Sequence, residues 1–481
     1  MSANRVLVTG GHVITMDETS GDMPNGAVLL EGDRIAAVGP AEEFAGIDAE
    51  TIDAKGNIVL PGMIDSHRHT WMALLRAISA DMSLPEFLAS TFYGIGSVVR
   101  ADDLGTATLV GALEAIDSGV TTIMDCCDCV NSPDHAFAAV DSLKEAGIRG
   151  VYAYGFQSFD FQPPAFGAHR ERLATARELH RRHFAHGDGF LRLGFLLSDF
   201  GTIAFDDTAA EIRLAKELGA LVASHTGAAS NSILLKGLRE LNDHGLLLPG
   251  HLHIHCTALT GPEWELLAQT GAQVTISPET EMQMGMGRPP FRACLEHGIT
   301  PAFSTDIVCV GSGDLFSQMR LGLQFQRCMD NECVHHTGVM PMTLDLSVRD
   351  ALNWATHGSA RALGMSGQVG SLTPGKQADL IILSHPRAMV PSSYPAGSAV
   401  LQTTASDVDT VIIGGKLRKR HGQLLDVDLA AVRQRAHAAL ERIQQAARAL
   451  PPYAPDAVAQ WFGRAERMAS VNFAAAYAEE R

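Results

Sequence analysis

The feature that most constrains this chain is a regular alternation of short apolar runs with helix-like segments through its middle. The runs are "NIVLPGMIDSH" (57–67), "VTTIMDC" (120–126), "RGVYAYG" (149–155) and "LRLGFLLS" (191–198). Then come "LVASHTG" (221–227), "LHIHCT" (252–257), "QVTISPE" (273–279) and "TPAFSTD" (300–306). Amphipathic stretches such as "DDTAAEIRLAKELGA" and "GPEWELLAQTGA" lie between several of them. A short, continuously apolar run bounded in this way is the mark of a parallel strand covered on both faces. Eight βα units in roughly 250 residues predict a (β/α)8 TIM barrel, with an open doubly wound sheet as the second choice.

The two ends have another texture. Residues 3–60 and the stretch after 368 are short alternating segments punctuated by glycine, as in hairpins of a small sheet. They predict a composite β-sandwich domain from residues 1–60 and 366–425, around a barrel at 61–365. Residues 426–481 read as a helical extension broken at Pro451-Pro452, packed on the body or on a second subunit. The chain's 481 residues suit a large barrel with an accessory domain. A net charge of −17 argues against nucleic acid as a partner. No run of about twenty apolar residues predicts a membrane span, and the start lacks the regions of a signal peptide. A cytoplasmic protein is expected, with its eight cysteines reduced. "CCDC" at 126–129 has no second cysteine pair and reads as packing at a strand end.

In a TIM barrel the reacting groups sit at the C-terminal ends of the strands. Strand one ends in "DSHRHTW" with His67 and His69, strand five in His225, strand six in His253 and His255, and strand eight in Asp306. Alternation along a strand points His67 and His69 the same way. Alone, each of these is more often a structural histidine or a helix cap. Together they form a nitrogen and oxygen donor set suited to Zn²⁺ or Fe²⁺. His253 shares the expected inward face of His255 but reads as a packed neighbour. The histidines of "HRRHFAHG" (180–186) and "HH" (335–336) read as surface.

The motifs "PGMIDSHRHTW", "SHTG", "LHIHCT", "FSTD" and "ATHGSARALGMSGQVGSLTPGKQADLIIL" resemble the amidohydrolase superfamily, in its cytosine and guanine deaminase and triazine hydrolase branch. The resemblance spans roughly residues 3–425. It implies that His67, His69, His225 and Asp306 hold a metal, that Asp306 carries a proton, and that His255 contacts the attacking water and the substrate. The binuclear branches need a lysine at the end of strand four, and "LRLGFLLSDF" has none, so one divalent metal per subunit is expected, zinc or iron. The resemblance also implies a small-molecule substrate and a homodimer or larger homo-oligomer.

One departure stands out. Deaminases of this branch carry a glutamate three residues after the strand-five histidine, and here that residue is Ala228. Glu279 or Glu281, just past strand seven, is the expected substitute acid. Otherwise the substrate needs no ring protonation, as for an exocyclic amide, urea or carbamate, or a halide. Deamination of a nitrogen heterocycle is the leading expectation, and a non-catalytic metal-binding scaffold is the reading from another class. Trp71, Glu279, Glu281 and Met284 are the expected substrate contacts, with Met282, Met284 and Met286 as an adaptable wall.

Overall fold

The computed structural model describes residues 5–456, except 187–188, 201, 229–236, 386–388 and 453. Eight parallel strands follow in chain order: Met63–Arg68, Val120–Cys127, Arg149–Gly155, Leu191–Leu196, Leu221–Thr226, Leu252–His255, Gln273–Ile276 and Pro301–Phe303. Each expected run supplies one barrel strand. The residues of Val120–Cys127 and Arg149–Gly155 are all buried, which is why these segments carry no polar alternation. Just past the last strand, Arg68 and Asp306 form a parallel bridge that closes the barrel. There Asp306 N donates to His67 O at 3.0 Å and His69 N to Asp306 O at 2.9 Å. Three expected metal ligands, His67, His69 and Asp306, thus sit on the seam of the barrel.

Helices Pro133–Ala146, Phe205–Leu218 and Gly261–Thr270 each end at a glycine in the left-handed conformation: Gly147, Gly219 and Gly271. Without a Cβ, glycine adopts that shape at no steric cost and stops the helix. In each helix the apolar positions face the barrel; Ala209, Ile212 and Ala215 are buried along one stripe of Phe205–Leu218.

The apolar run at 57–67 is divided between two sheets, a correction to its reading as one strand. Ile58–Pro61 belongs to a nine-stranded mixed sheet, and Met63–Arg68 to the barrel. Gly62 is the joint. A Cβ there would stand 2.1 Å from Thr121 Oγ1, so the chain can cross at this point only as glycine. The mixed sheet unites both ends of the chain, because Ile58–Pro61 pairs antiparallel with Leu380–Leu383. Alternation divides its core: Val6, Val8 and Val28 pack in one cluster, Leu7 and Leu29 in another. A buried ion pair, Arg149 Nε to Asp379 Oδ2 at 2.6 Å, ties this sheet to the barrel.

Helix Leu429–Ala447 lies on Ala101–Asp117 and buries Val432, Ala439 and Ile443. The helical extension expected after residue 456 lies outside the described residues. No described helix is long and apolar enough to cross a membrane. All eight cysteines are free thiols.

Candidate active site

The strand ends bring four imidazoles and one carboxylate together. His67 Nε2 is 3.0 Å from Asp306 Oδ1, and His69 Nε2 is 3.4 Å from the same oxygen. His255 Nε2 is 3.8 Å from Asp306 Oδ2. The ring of His225 is centred 5.3 Å from that of His67 and 5.8 Å from that of His255. Single donor atoms of His67, His69 and Asp306 all lie within 4.8 Å of one another, as do those of His67, His225 and His255.

All four rings are held from behind through Nδ1. His67 Nδ1 is 3.0 Å from Cys126 Sγ. His69 Nδ1 bonds Cys126 O at 3.0 Å and stands 3.2 Å from Asp128 Oδ2. His225 Nδ1 meets Asp199 Oδ1 at 3.2 Å, and His255 Nδ1 meets Glu281 Oε1 at 3.2 Å. Outer partners of this kind fix the tautomer and orientation of an imidazole that coordinates through Nε2. A tetrahedral ion with bonds of about 2.1 Å needs donors about 3.4 Å apart. The spacings at Asp306 match, so the residues present fit a divalent metal.

The electrostatics divide the two strand-one histidines. Burial pushes His67 well below its ordinary value and keeps it neutral, the form that coordinates. Burial works to raise the Asp306 carboxyl, but His67, His255 and His69 outweigh it and hold it below the usual carboxylate range. Burial also opposes charge on His69, yet Asp128 prevails and raises that imidazole to about 9. The backbone is strained here as well: His255, Cys256 and Asp306 have φ of 73°, 57° and 59°. Left-handed conformations are costly for such residues and persist where the surroundings impose them.

That strain explains a correction. His253 does not share the face of His255. It is fully buried, bonds Thr226 Oγ1 through Nδ1 at 2.9 Å, and stacks on His251 with centroids 4.1 Å apart. The turn at His255 breaks the two-residue alternation and sends that ring alone to Asp306.

The two glutamates also separate. Residues Pro278–Gln283 form a short helix rather than an open loop. Glu279 Oε2 accepts from Ser312 N at 2.8 Å, Ser312 Oγ at 2.9 Å and Gln318 Nε2 at 2.8 Å. It braces the loop after strand eight, and none of these partners is a site histidine. Glu281 is fully buried behind His255. The expected methionine wall divides, with Met282 exposed and Met284 and Met286 buried. Trp71 is buried, and its indole N–H donates to Asp128 Oδ1. Ala228 packs against the main apolar cluster.

Sequence reasoning missed Cys126, Asp128 and Asp199. The first two lie in "CCDC", read for its sulfurs when its carboxylate is what orients His69. A usable signal exists: each holding group lies at or just past the end of a strand next to its histidine's own.

A sequence model of the amidohydrolase family matches residues 58–418, and one of an imidazolonepropionase-like composite domain of bacteria matches 26–45. The 5-methylthioadenosine/S-adenosylhomocysteine deaminase 1 of Syntrophus aciditrophicus is 30% identical, over 91% of this chain and 97% of its own length. The crystal structure of an adenosine deaminase from Xanthomonas campestris with bound zinc superposes with a TM-score of 0.81 at 24% identity, covering 92% of this chain and 98% of that one. Atrazine chlorohydrolase of Arthrobacter aurescens, complexed with zinc, gives a TM-score of 0.77 at 22% identity, covering 90% of this chain and 100% of that one.

Proposed function

The chain belongs to the amidohydrolase family, and we propose that it is a metal-dependent hydrolase that deaminates a nitrogen heterocycle. The observation that carries this reading is the convergence of four Nδ1-anchored imidazoles on Asp306. His67, His69, His225 and Asp306 hold one divalent ion, zinc or iron, in keeping with a fourth strand, Leu191–Leu196, that has no lysine. Such an ion would supply Lewis acidity there, lowering the pKa of a water at the site toward about 7. Asp306 takes the proton released as the new C–O bond forms, and delivers it to the nitrogen that leaves. His255, its Nε2 turned to Asp306, accepts a hydrogen bond from the attacking water and steadies it for attack. The relatives named for methylthioadenosine and adenosine deamination favour an amino-substituted purine or a similar flat heterocycle.

Ala228 favours a second reading. A methyl group cannot protonate a ring nitrogen, and this one sits on apolar core. A substrate with a good leaving group, or an exocyclic amide, urea or carbamate, asks for no such donor.

The test begins with elemental analysis of protein purified without chelator, then a substrate panel scored for ammonia, amine and chloride. One equivalent of zinc or iron, with ammonia released from a heterocycle and both lost in His67→Ala, is expected. Amine or chloride in place of ammonia selects the second reading. No metal, and none taken up on reconstitution, overturns both.

A further inference from the structure

Glu281 has no place in the reaction as set out above, yet it is completely buried against a site histidine. We propose that Glu281 is a positioning residue: its Oε1 fixes His255 in the Nδ1–H tautomer and aims Nε2 at the reacting centre. The inference rests on the role given above to His255.

The geometry assigns the hydrogen-bond direction. Glu281 Oε1 already accepts Ser277 N–H at 2.8 Å, so this oxygen is an acceptor whether or not the carboxyl carries a proton. With the carboxyl ionised, or its proton on Oε2, both groups on Oε1 donate to it, and the second is His255 Nδ1 at 3.2 Å. A donor at Nδ1 leaves Nε2 of a neutral imidazole with its lone pair toward the site. The backbone of His255 does not supply this aim by strand geometry, because its φ of 73° departs from the extended form. The ring therefore depends on a fixed anchor. Glu281 is such an anchor, since it lies in helix Pro278–Gln283 and its carboxylate is tied to that helix's first turn through Ser277. Its other oxygen, Oε2, has no hydrogen-bond partner among the described residues. A buried polar atom left unsatisfied is costly, so the position is held against a cost that a leucine would not incur. Where the deaminase branch places a glutamate, this chain has Ala228, and the buried carboxylate of Glu281 acts through His255.

The role separates from that of a direct acid in two variants. Glu281→Gln keeps an acceptor oxygen for both Ser277 N–H and His255 Nδ1–H, whereas Glu281→Ala removes it. Loss of an orienting partner lowers activity by about 10- to 100-fold. That loss is expected in kcat for the alanine variant, with KM and metal content near wild type, and the glutamine variant should recover most of it. Nitrogen-15 NMR of histidine-labelled enzyme, with His255→Gln identifying the signal, needs no substrate. It should show the Nδ1–H tautomer in wild type and Glu281→Gln, and tautomer exchange in Glu281→Ala. Equal loss of kcat in both variants, or an unchanged tautomer in the alanine variant, overturns the proposal. Failure of wild type to hydrolyse any member of the panel counts against the functional reading alone, because the tautomer measurement still decides the positioning role.

Discussion

Two histidine pairs of equal spacing lie in this barrel, and they do different things. His67 and His69 stand at the end of the first strand, with rings edge to face and Nε2 atoms 3.0 and 3.4 Å from Asp306. His251 and His253, on the sixth, stack on each other and bond the hydroxyls of Ser224 and Thr226 at 2.9 Å. The first pair has the carboxylates of Asp128 and Asp306 beside it; the second has only hydroxyl partners. Burial drives His251 down to about 3 and His253 well below its usual value, so both remain neutral core residues. A His-x-His pair is therefore not a site by itself. Carboxylates in front of and behind the rings are what make one a candidate cation site.

If that is the difference, removing carboxylates should abolish what distinguishes the first pair. Asp306→Asn preserves shape but removes both the charge and the proton carrier. A fall in kcat/KM of about 10²–10⁴-fold is expected, together with weaker metal retention on dialysis. Asp128→Asn should weaken metal affinity by about 10–100-fold through His69, with less effect on kcat once metal is saturating. An Asp128→Asn enzyme that retains metal as well as wild type would show that the outer carboxylate is not what sets the pairs apart.

The same contrast explains what could be read in advance. Buried parallel strands are short apolar runs, and their ends carry the polar residues of the site, so His67, His69, His225, His255 and Asp306 were legible. The division at Gly62 was not, because Ile58–Pro61 and Met63–Arg68 are apolar for different reasons in different sheets. The turn that parts His255 from His253 was hidden too, since positive φ at a histidine has no sequence mark. Asp128 and Asp199 escaped because they act across strands. Each is far in sequence from the ring that it orients and carries no motif of its own.

Smaller effects are expected at the second pair, and on stability rather than chemistry. Ser224 Oγ is the partner of His251 Nε2, whose Nδ1 has no partner among the described residues. Ser224→Ala leaves a buried imidazole unsatisfied and should cost about 1–3 kcal/mol, read as an earlier denaturation midpoint. Metal content should not change. Loss of metal in this variant would mean that the two pairs are coupled.

The last effect is a slope with pH and leaves the chemistry untouched. His251 titrates at about 3 in the fold and near 6.5 in the unfolded chain. Between those values the unfolded chain binds a proton that the folded one refuses, so acid favours unfolding there. Stability should fall as pH drops from about 6.5 toward 3, by at most about 1.4 kcal/mol per pH unit for this group, and be flat with respect to it above that range. His251→Gln keeps a donor for Ser224 and removes the titration. Its stability curve should therefore be shallower than wild type below pH 6.5 and run parallel above. Curves parallel throughout would mean that His251 is accessible to protons in the fold, and the contrast between a pair flanked by carboxylates at the mouth and a neutral pair in the core would fail.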